Sequence, residues 1–250
     1  MKMLLTSRYR ARLARTGQDL ERAQTLRGQM FRGAGPDADR FDAQCQHLLV
    51  EEVEKGSLVA TLRYQLLPPS ADLASTYSAQ FYGLALLGRW PGAKLELGRF
   101  CVAPRQDDPD ILRLIWAFLT QVVDQARVGV LFGCTSFAKA DRPVDSAVYA
   151  ALARHLGPAA WRPEATAPEH FSILERAGGV VGPPEALRVQ SPLLQGYLSL
   201  GGWISDDAVI DRDLGTILAF TALEVAHIPS ARQRLLRALV DATIEKGPDH

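Results

Sequence analysis

At 250 residues, 47% of them hydrophobic and 22% charged, the chain has the composition of an ordinary soluble globular protein and is long enough to bury a large core. Lys and Arg together number 28, as do Asp and Glu, so no global field exists to collect nucleic acid, and nucleic-acid binding is disfavoured. No apolar run reaches the ~18 residues of a membrane span.

The apolar start Met1-Lys2-Met3-Leu4-Leu5 meets Arg8, Arg10, Arg12 and Arg15 at once, which is too short for a signal peptide. From Tyr9 to Ala14, Arg10 and Arg12 alternate with Ala11 and Leu13, the pattern of a first strand with one wet face. Thr16-Gly17-Gln18-Asp19 leads into a helix over Leu20 to Met30, which Gly33-Ala34-Gly35-Pro36-Asp37 ends. His47 to Val53 and Leu58 to Tyr64, joined at Gly56-Ser57, read as a hairpin. Pro68-Pro69-Ser70 closes it, Leu73 to Leu87 is partly helical, and Trp90-Pro91-Gly92 precedes a central strand over Leu95 to Val102.

Asp108 is a good N-cap and Pro109 suits the first position of an amphipathic helix over Ile111 to Arg127. Val128 to Thr135 is a short buried strand, so a strand-helix-strand crossover and a parallel pair are expected. Ser146 to Leu156 is a helix, Phe171 to Leu174 reads as a strand, and Leu193 to Ile210 is rich in Gly, Tyr and Trp. Ile217 to Val225 is apolar and closes the sheet, Ala231 to Ile244 is a last amphipathic helix, and 245–250 is expected to be a disordered tail. No long linker separates two domains, so a single domain over 7–240 is expected, with a C-terminal extension from about 190.

The central strand is unusual because Glu96, Gly98 and Arg99 interrupt an apolar run. Ideal alternation points Glu96 and Arg99 to opposite faces; a bulge at Gly98 would turn both towards a ligand and free backbone N–H groups. The other reading is a plain core strand with a salt bridge at its rim, and spacing alone favours it.

Familiar signatures are absent: no G-x-S-x-G elbow, H-E-x-x-H, Walker loop, G-x-G-x-x-G or H-x-x-x-x-D. The five histidines stand in unrelated settings, and Cys45, Cys101 and Cys134 form no C-x-x-C pair. Metal, triad and disulfide chemistry are therefore disfavoured, and the thiols suit a reducing cytoplasm.

What remains is an ordered set of charges. Arg27-x-x-x-Phe31, Asp39-x-x-Asp42, Leu62-Arg63 and Glu96-x-x-Arg99-Phe100 follow the order found in the acyl-homoserine lactone synthases, which the chain resembles. It is more similar to their relatives, the ornithine lipid synthases. That resemblance runs through Asp37-Ala38-Asp39-Arg40-Phe41-Asp42, Glu96 to Val102, Leu131 to Phe137, Pro192 to Gly201 and Ala208 to Thr216. Where the lactone synthases carry a tryptophan after the Arg-x-x-x-Phe helix, Gly33-Ala34-Gly35 stands here, which disfavours lactone formation.

The resemblance implies an α/β, acetyltransferase-like (GNAT) fold, a mixed β-sheet flanked by helices. It implies transfer of a (3-hydroxy)fatty acyl group from acyl-carrier protein to the α-amine of ornithine, giving a lyso-ornithine lipid. No cofactor is implied beyond the phosphopantetheine thioester as co-substrate. Partners would be the carrier protein, a small amino acid and, peripherally, the inner membrane.

Glu96 would be the base and Arg99 its orienting partner or a phosphopantetheine ligand. Phe100, Cys101, Val102, Arg105 and Phe132 would bind the acyl donor, with Leu131, Phe132 and Phe137 lining an acyl tunnel. Arg27, Phe31, Asp39, Asp42 and Arg63 would bind the amino acid or hold its loop. The acidic Asp107, Asp108 and Asp110 would repel the pyrophosphate of coenzyme A and so favour the carrier protein. Glutamine, glycine or lysine as acceptor, lactone synthesis, and a non-catalytic acyl-carrier or lipid-binding module are the alternatives.

Overall fold

A computed structural model describes residues 2–106, 108–179, 182, 183, 186 and 192–243. The expected tail at 245–250 and the charge of Asp107 lie outside the described residues. Two compact units are interleaved in sequence, one of 1–66, 97–128 and 229–250, the other of 67–96 and 129–228.

In the first unit, β1 (Leu4–Leu5), β2 (Tyr9–Leu13), β3 (Gln46–Glu52) and β4 (Leu58–Leu67) pair successively, all antiparallel. The β3–β4 hairpin turns at Gly56, whose φ of +66° lies in the left-handed region that glycine tolerates. Between β2 and β3 runs α1 (Gly17–Phe31), capped as its sequence predicts: the Thr16 side chain accepts from the Asp19 N–H.

Arg10 and Arg12 do not simply face water as the alternation suggests. The register of β3 shifts between Val50 and Glu51, and Glu51 lies wholly buried, accepting from Arg10 Nε and Arg12 Nε at 2.8 Å and from Arg22 Nη1 at 2.6 Å. These bonds tie α1 to β2 and β3, and the three guanidiniums outweigh the upward push of burial to hold the Glu51 carboxyl below its usual range.

The second unit opens with tight turns at Leu73–Ser75 and Ser78–Gln80 and the single-turn α2 (Ala85–Gly88), where a partial helix is expected. The next strand, β5 (Ala93–Val102), begins in this unit and ends in the first. It leads to α3 (Pro109–Ala126), whose N-cap Asp108 accepts from the Asp110 N–H and whose chain leaves through Arg127 in the left-handed conformation. α3 lies against β1, β2 and β3 and buries Ile111, Ile115, Phe118 and Val122, the face its periodicity marks.

After α3 comes β6 (Val128–Lys139), longer than the run to Thr135 that its apolar residues mark, followed by α4 (Ser146–Ala153). The stretch expected as a strand over 171–174 divides into β7 (His170–Ser172) and α5 (Ile173–Ala177), because the Ser172 hydroxyl accepts from the Glu175 N–H and caps a helix there. The Gly-, Tyr- and Trp-rich stretch becomes α6 (Pro192–Ser199) and β8 (Trp203–Asp211).

The next strand, β9 (Thr216–Glu224), does not close a sheet at its edge; it pairs antiparallel with β6 on one side and β8 on the other. Of its nine residues all but the first are buried, so its near-continuous apolar run reflects burial on both faces. Last comes α7 (Ser230–Thr243), which packs on α3. Among the described residues, no helix is long and apolar enough to cross a membrane.

Candidate active site

The loop after α1 and strands β4 and β5 bring together the charges that the sequence strings out. Arg27 is buried on α1; its Nε donates to Asp37 Oδ2 at 2.9 Å and its Nη1 to Asp42 Oδ1 at 2.7 Å. Its Nη2 also stands 2.9 Å from Asp37 Oδ2, without hydrogen-bond alignment. Arg63 Nη1 donates to Asp39 Oδ1 at 2.5 Å and Asp42 Oδ1 at 2.6 Å, and its Nη2 to Asp39 Oδ2 at 2.8 Å. From β5, Arg99 Nε donates to Asp37 Oδ2 at 2.8 Å and Nη2 to Asp39 Oδ2 at 3.2 Å, while Arg32 Nε reaches Asp37 Oδ1 at 2.8 Å.

Phe31 does not simply follow Arg27 on the helix: its ring lies under the Arg99 guanidinium, 5.9 Å from centroid to Cζ. Both the Asp39 and the Asp42 carboxylate are engaged by the chain's own arginines. Asp37, absent from the expected site residues, is the fully buried centre on which Arg27, Arg32 and Arg99 converge.

Burial pushes the Asp37 and Asp42 carboxyls up; the arginines, Arg99 and Arg27 for Asp37 and Arg27 with Gln24 for Asp42, more than reverse this and hold both below the usual carboxylate range. His47, buried against Asp42, Arg27 and Arg63, is pushed down by burial. Its Nε2 lies 3.1 Å from the Asp42 carbonyl oxygen, to which the neutral ring donates, while Nδ1 has no partner among the described residues.

The signs fix a pH dependence. An imidazole whose folded pKa is depressed binds its proton more readily when unfolded, so its contribution to stability is present above ~6.5 and falls as the pH drops below that value. The carboxyls of Asp37, Asp42 and Glu51 are also depressed, and their contribution is lost only at more acid pH, below about 4. Burial also holds the His155 imidazole below its usual range, so thermal melts are expected to show a first decline from about pH 6.5 that His47→Gln reduces and a second, steeper one below about 4 that it leaves.

The backbone distortion of β5 falls at Arg99, not Gly98: Arg99 has φ of +52°, a left-handed conformation that is costly for a non-glycine residue, whereas Gly98 is not in that region. Gly98 instead lies beside Arg63; a Cβ added there would stand 3.7 Å from Arg63 Nε. The strand is irregular where a site was expected, but the residue that bends is the arginine.

Glu96, at the other end of that irregular stretch, is 5% exposed. Its Oε2 accepts from the Tyr77 N–H at 3.0 Å, and its Oε1 from the Ser78 N–H at 2.8 Å and the Ser78 hydroxyl at 2.6 Å. Neither Tyr77 nor Ser78 figures among the expected site residues, since backbone donors leave no mark in a sequence. Glu96 also acts on the buried Tyr197 of α6, whose phenol is pushed far up, first by burial and then by the Glu96 charge.

Of the expected donor-binding residues, Phe100, Cys101 and Val102 end β5, Arg105 lies in the turn after it, and Phe132 is on β6. Cys101 is buried, and burial raises its thiol to about 12, so it stays protonated and unreactive at neutral pH. Cys101→Ala is expected to leave turnover within about threefold of the parent, measured as initial rate, since a buried, protonated thiol is a poor nucleophile. Phe100 and Val102 are half-buried, and Arg105 is an exposed turn residue with φ of +63°.

Phe132 is fully buried in a core with Val130, Tyr82, Trp203 and Phe220, stacked 5.8 Å from the Phe220 ring, whereas Phe137 belongs to a different core with Tyr149 and Ile173. The acidic turn is also less repulsive than its sequence suggests, because Asp108 pairs with Arg8 and Asp110 with Arg113.

Residues 21–117 match the acetyltransferase (GNAT) domain family. The N-acyl amino acid synthase FeeM, from uncultured soil microbes, superposes with a TM-score of 0.51 over 95% of this chain and 99% of its own at 11% identity, a likeness of fold alone. The acetyltransferase-like fold class that the sequence resemblance implies is thus the one found.

The chain is 30% identical to the L-ornithine N(alpha)-acyltransferase of Agrobacterium fabrum, covering 87% of this chain and 81% of that one. It is 31% identical to the protein of the same name from Brucella abortus, covering 88% of this chain and 85% of that one. The chain is an acyltransferase that acylates an amino-acid nitrogen, and it belongs to the L-ornithine N(alpha)-acyltransferase family.

Proposed function

We propose that this chain moves a (3-hydroxy)fatty acyl group from acyl-carrier protein to the α-amine of ornithine and releases a lyso-ornithine lipid. The observation that carries the reading is the carboxylate of Glu96, buried and gripped by three donors three residues before the left-handed Arg99. The names of the curated relatives support ornithine as the acceptor.

An α-ammonium is largely protonated at neutral pH and has no lone pair with which to attack. Glu96, directly or through one water, takes that proton. The freed amine adds to the thioester carbonyl carbon, and backbone N–H groups between Phe100 and Val102 stabilise the oxyanion as charge develops. Collapse expels the phosphopantetheine thiolate, which takes the second proton from the nitrogen as the amide is left behind, and Glu96 gives its proton to water. With Cys101 held as a thiol, transfer is direct rather than through an acyl-enzyme.

Arg99, Arg27 and Arg63 keep the Asp37–Asp39–Asp42 loop in shape; the amino acid is read beside that loop, with Phe31 packed on Arg99. No resident cofactor takes part. The test is purified protein with 3-hydroxyacyl carrier protein or the matching coenzyme A thioester, offered ornithine, glutamine, glycine, lysine or S-adenosylmethionine, with products read by mass spectrometry. Nα-acyl-ornithine formed chiefly from the carrier thioester supports the reading. Another acyl amino acid, an acyl lactone, a preference for coenzyme A, or acyl binding without turnover each replaces the corresponding part.

A further inference from the structure

Lys94 is a buried cation that this mechanism does not use. Its side chain is 0% exposed, yet its Nζ makes one hydrogen bond among the described residues, to the Pro69 carbonyl at 3.0 Å, and no carboxylate pairs with it. Burial pushes the ammonium below its usual range. An amine placed so is unfavourable for stability compared with an apolar side chain of the same length, so its reason lies in what it holds.

What it holds is one end of the segment whose other end holds Glu96. Lys94 and Glu96 stand at alternate positions of β5, where side chains share a face. Lys94 ties down Pro69, while Tyr77 and Ser78 supply the three donors to the Glu96 carboxylate.

Between these points the chain is stiffened by its own bonds. The Ala71 N–H donates to the Pro68 carbonyl at 3.0 Å, the Asp72 carboxylate caps Ala74 at 2.9 Å, and the Thr76 hydroxyl donates to the Leu73 carbonyl at 2.7 Å. Leu73 and Thr76 are both buried, so the segment moves as a piece rather than flexing in the middle.

We propose that Lys94 is a positioning residue for acyl transfer, anchoring the 69–78 segment so that the Tyr77 and Ser78 donors meet the Glu96 carboxylate at bonding distance. This rests on Glu96 being the base. With Pro69 released, the donors drift from the carboxylate, its charged form loses stabilisation, and it holds its proton to higher pH.

The test measures kcat against pH for the full chain with 3-hydroxyacyl carrier protein and ornithine, in the parent, Lys94→Met and Ser78→Ala. Ser78→Ala deletes one donor directly and is the reference. Both variants are expected to move the acid limb of the profile upward by about half a pH unit. Lys94→Met is expected to lower kcat by up to about threefold at neutral pH, the most a half-unit shift of the limb can give, while leaving the ornithine KM within about twofold.

A Lys94→Met limb that stays in place while that of Ser78→Ala moves overturns the inference, even if the melting temperature falls. Should neither move, the failure lies with Glu96 as base. If Lys94→Met does not fold, Lys94→Gln, neutral and one atom shorter so that its amide falls short of the Pro69 carbonyl, carries the same test, and an unmoved limb overturns the inference there too.

Discussion

Replacing Glu96 by glutamine is expected to lower kcat for acyl transfer roughly 10²- to 10⁴-fold, the range a positioned general base contributes. The amide has nearly the same shape but cannot take the ammonium proton. It also meets its surroundings badly. The carboxylate accepts from the Tyr77 N–H on one oxygen and from the Ser78 N–H and hydroxyl on the other. An amide must turn its NH2 towards one of them, leaving a donor unpaired at a cost of about 1–3 kcal/mol.

Stability therefore falls together with activity, and the two effects need separating. Glu96→Asp keeps the charge and both acceptor oxygens but withdraws them by one methylene; it should melt close to Glu96→Gln and yet retain far more turnover. Initial rates beside thermal melts make the comparison. If Glu96→Gln stays folded and turns over within a fewfold of the parent, Glu96 is not the base.

The largest expected effect on stability is at Asp37. Removing its carboxylate by Asp37→Ala leaves Arg27, Arg32 and Arg99 with a common partner gone, two of them 1% and 6% exposed. Breaking a buried pair in this way costs about 3–5 kcal/mol, because the remaining charge cannot be solvated. For a chain of this size that is a fall in melting temperature of roughly 6–20 °C.

The matched control is Asp110→Ala, which removes the partner of Arg113 from a pair whose side chains are 60% and 41% exposed, where less than about 1 kcal/mol is at stake. Equal melting temperatures for the two variants would mean that the buried network contributes nothing beyond surface charge. Asp37→Ala is also expected to lower turnover, because Arg99 loses one of the bonds that hold it at the left-handed turn of β5.

Much of the fold can be read along the chain because its signals are local. Asp108-Pro109 and an apolar stripe define α3, Thr16 opens α1, and a glycine turn between two β-prone runs makes the β3–β4 hairpin. Elements decided by a distant partner are read less well. The last residues of β6 are strand because β9 pairs with them as far as Lys139, and Trp203–Asp211 is strand because β7 and β9 pair with it. Nothing within those residues announces it.

The same division holds at the site. The order of Arg27, Asp39, Asp42, Arg63, Glu96 and Arg99 was enough to suggest the family and to mark an irregular β5, because residue types and spacings are one-dimensional facts. Which carboxylate collects three arginines, that the bend falls on Arg99 rather than on its glycine neighbour, and that Glu96 is held by two backbone N–H groups and a serine were decided only in three dimensions. Hydrogen bonds and ion pairs depend on atoms brought within about 3 Å by chain segments far apart in sequence, and backbone donors are common to nearly every residue. Sequence therefore determined the chemistry available to this protein, and tertiary packing decided which groups are paired, buried and held in place to perform it.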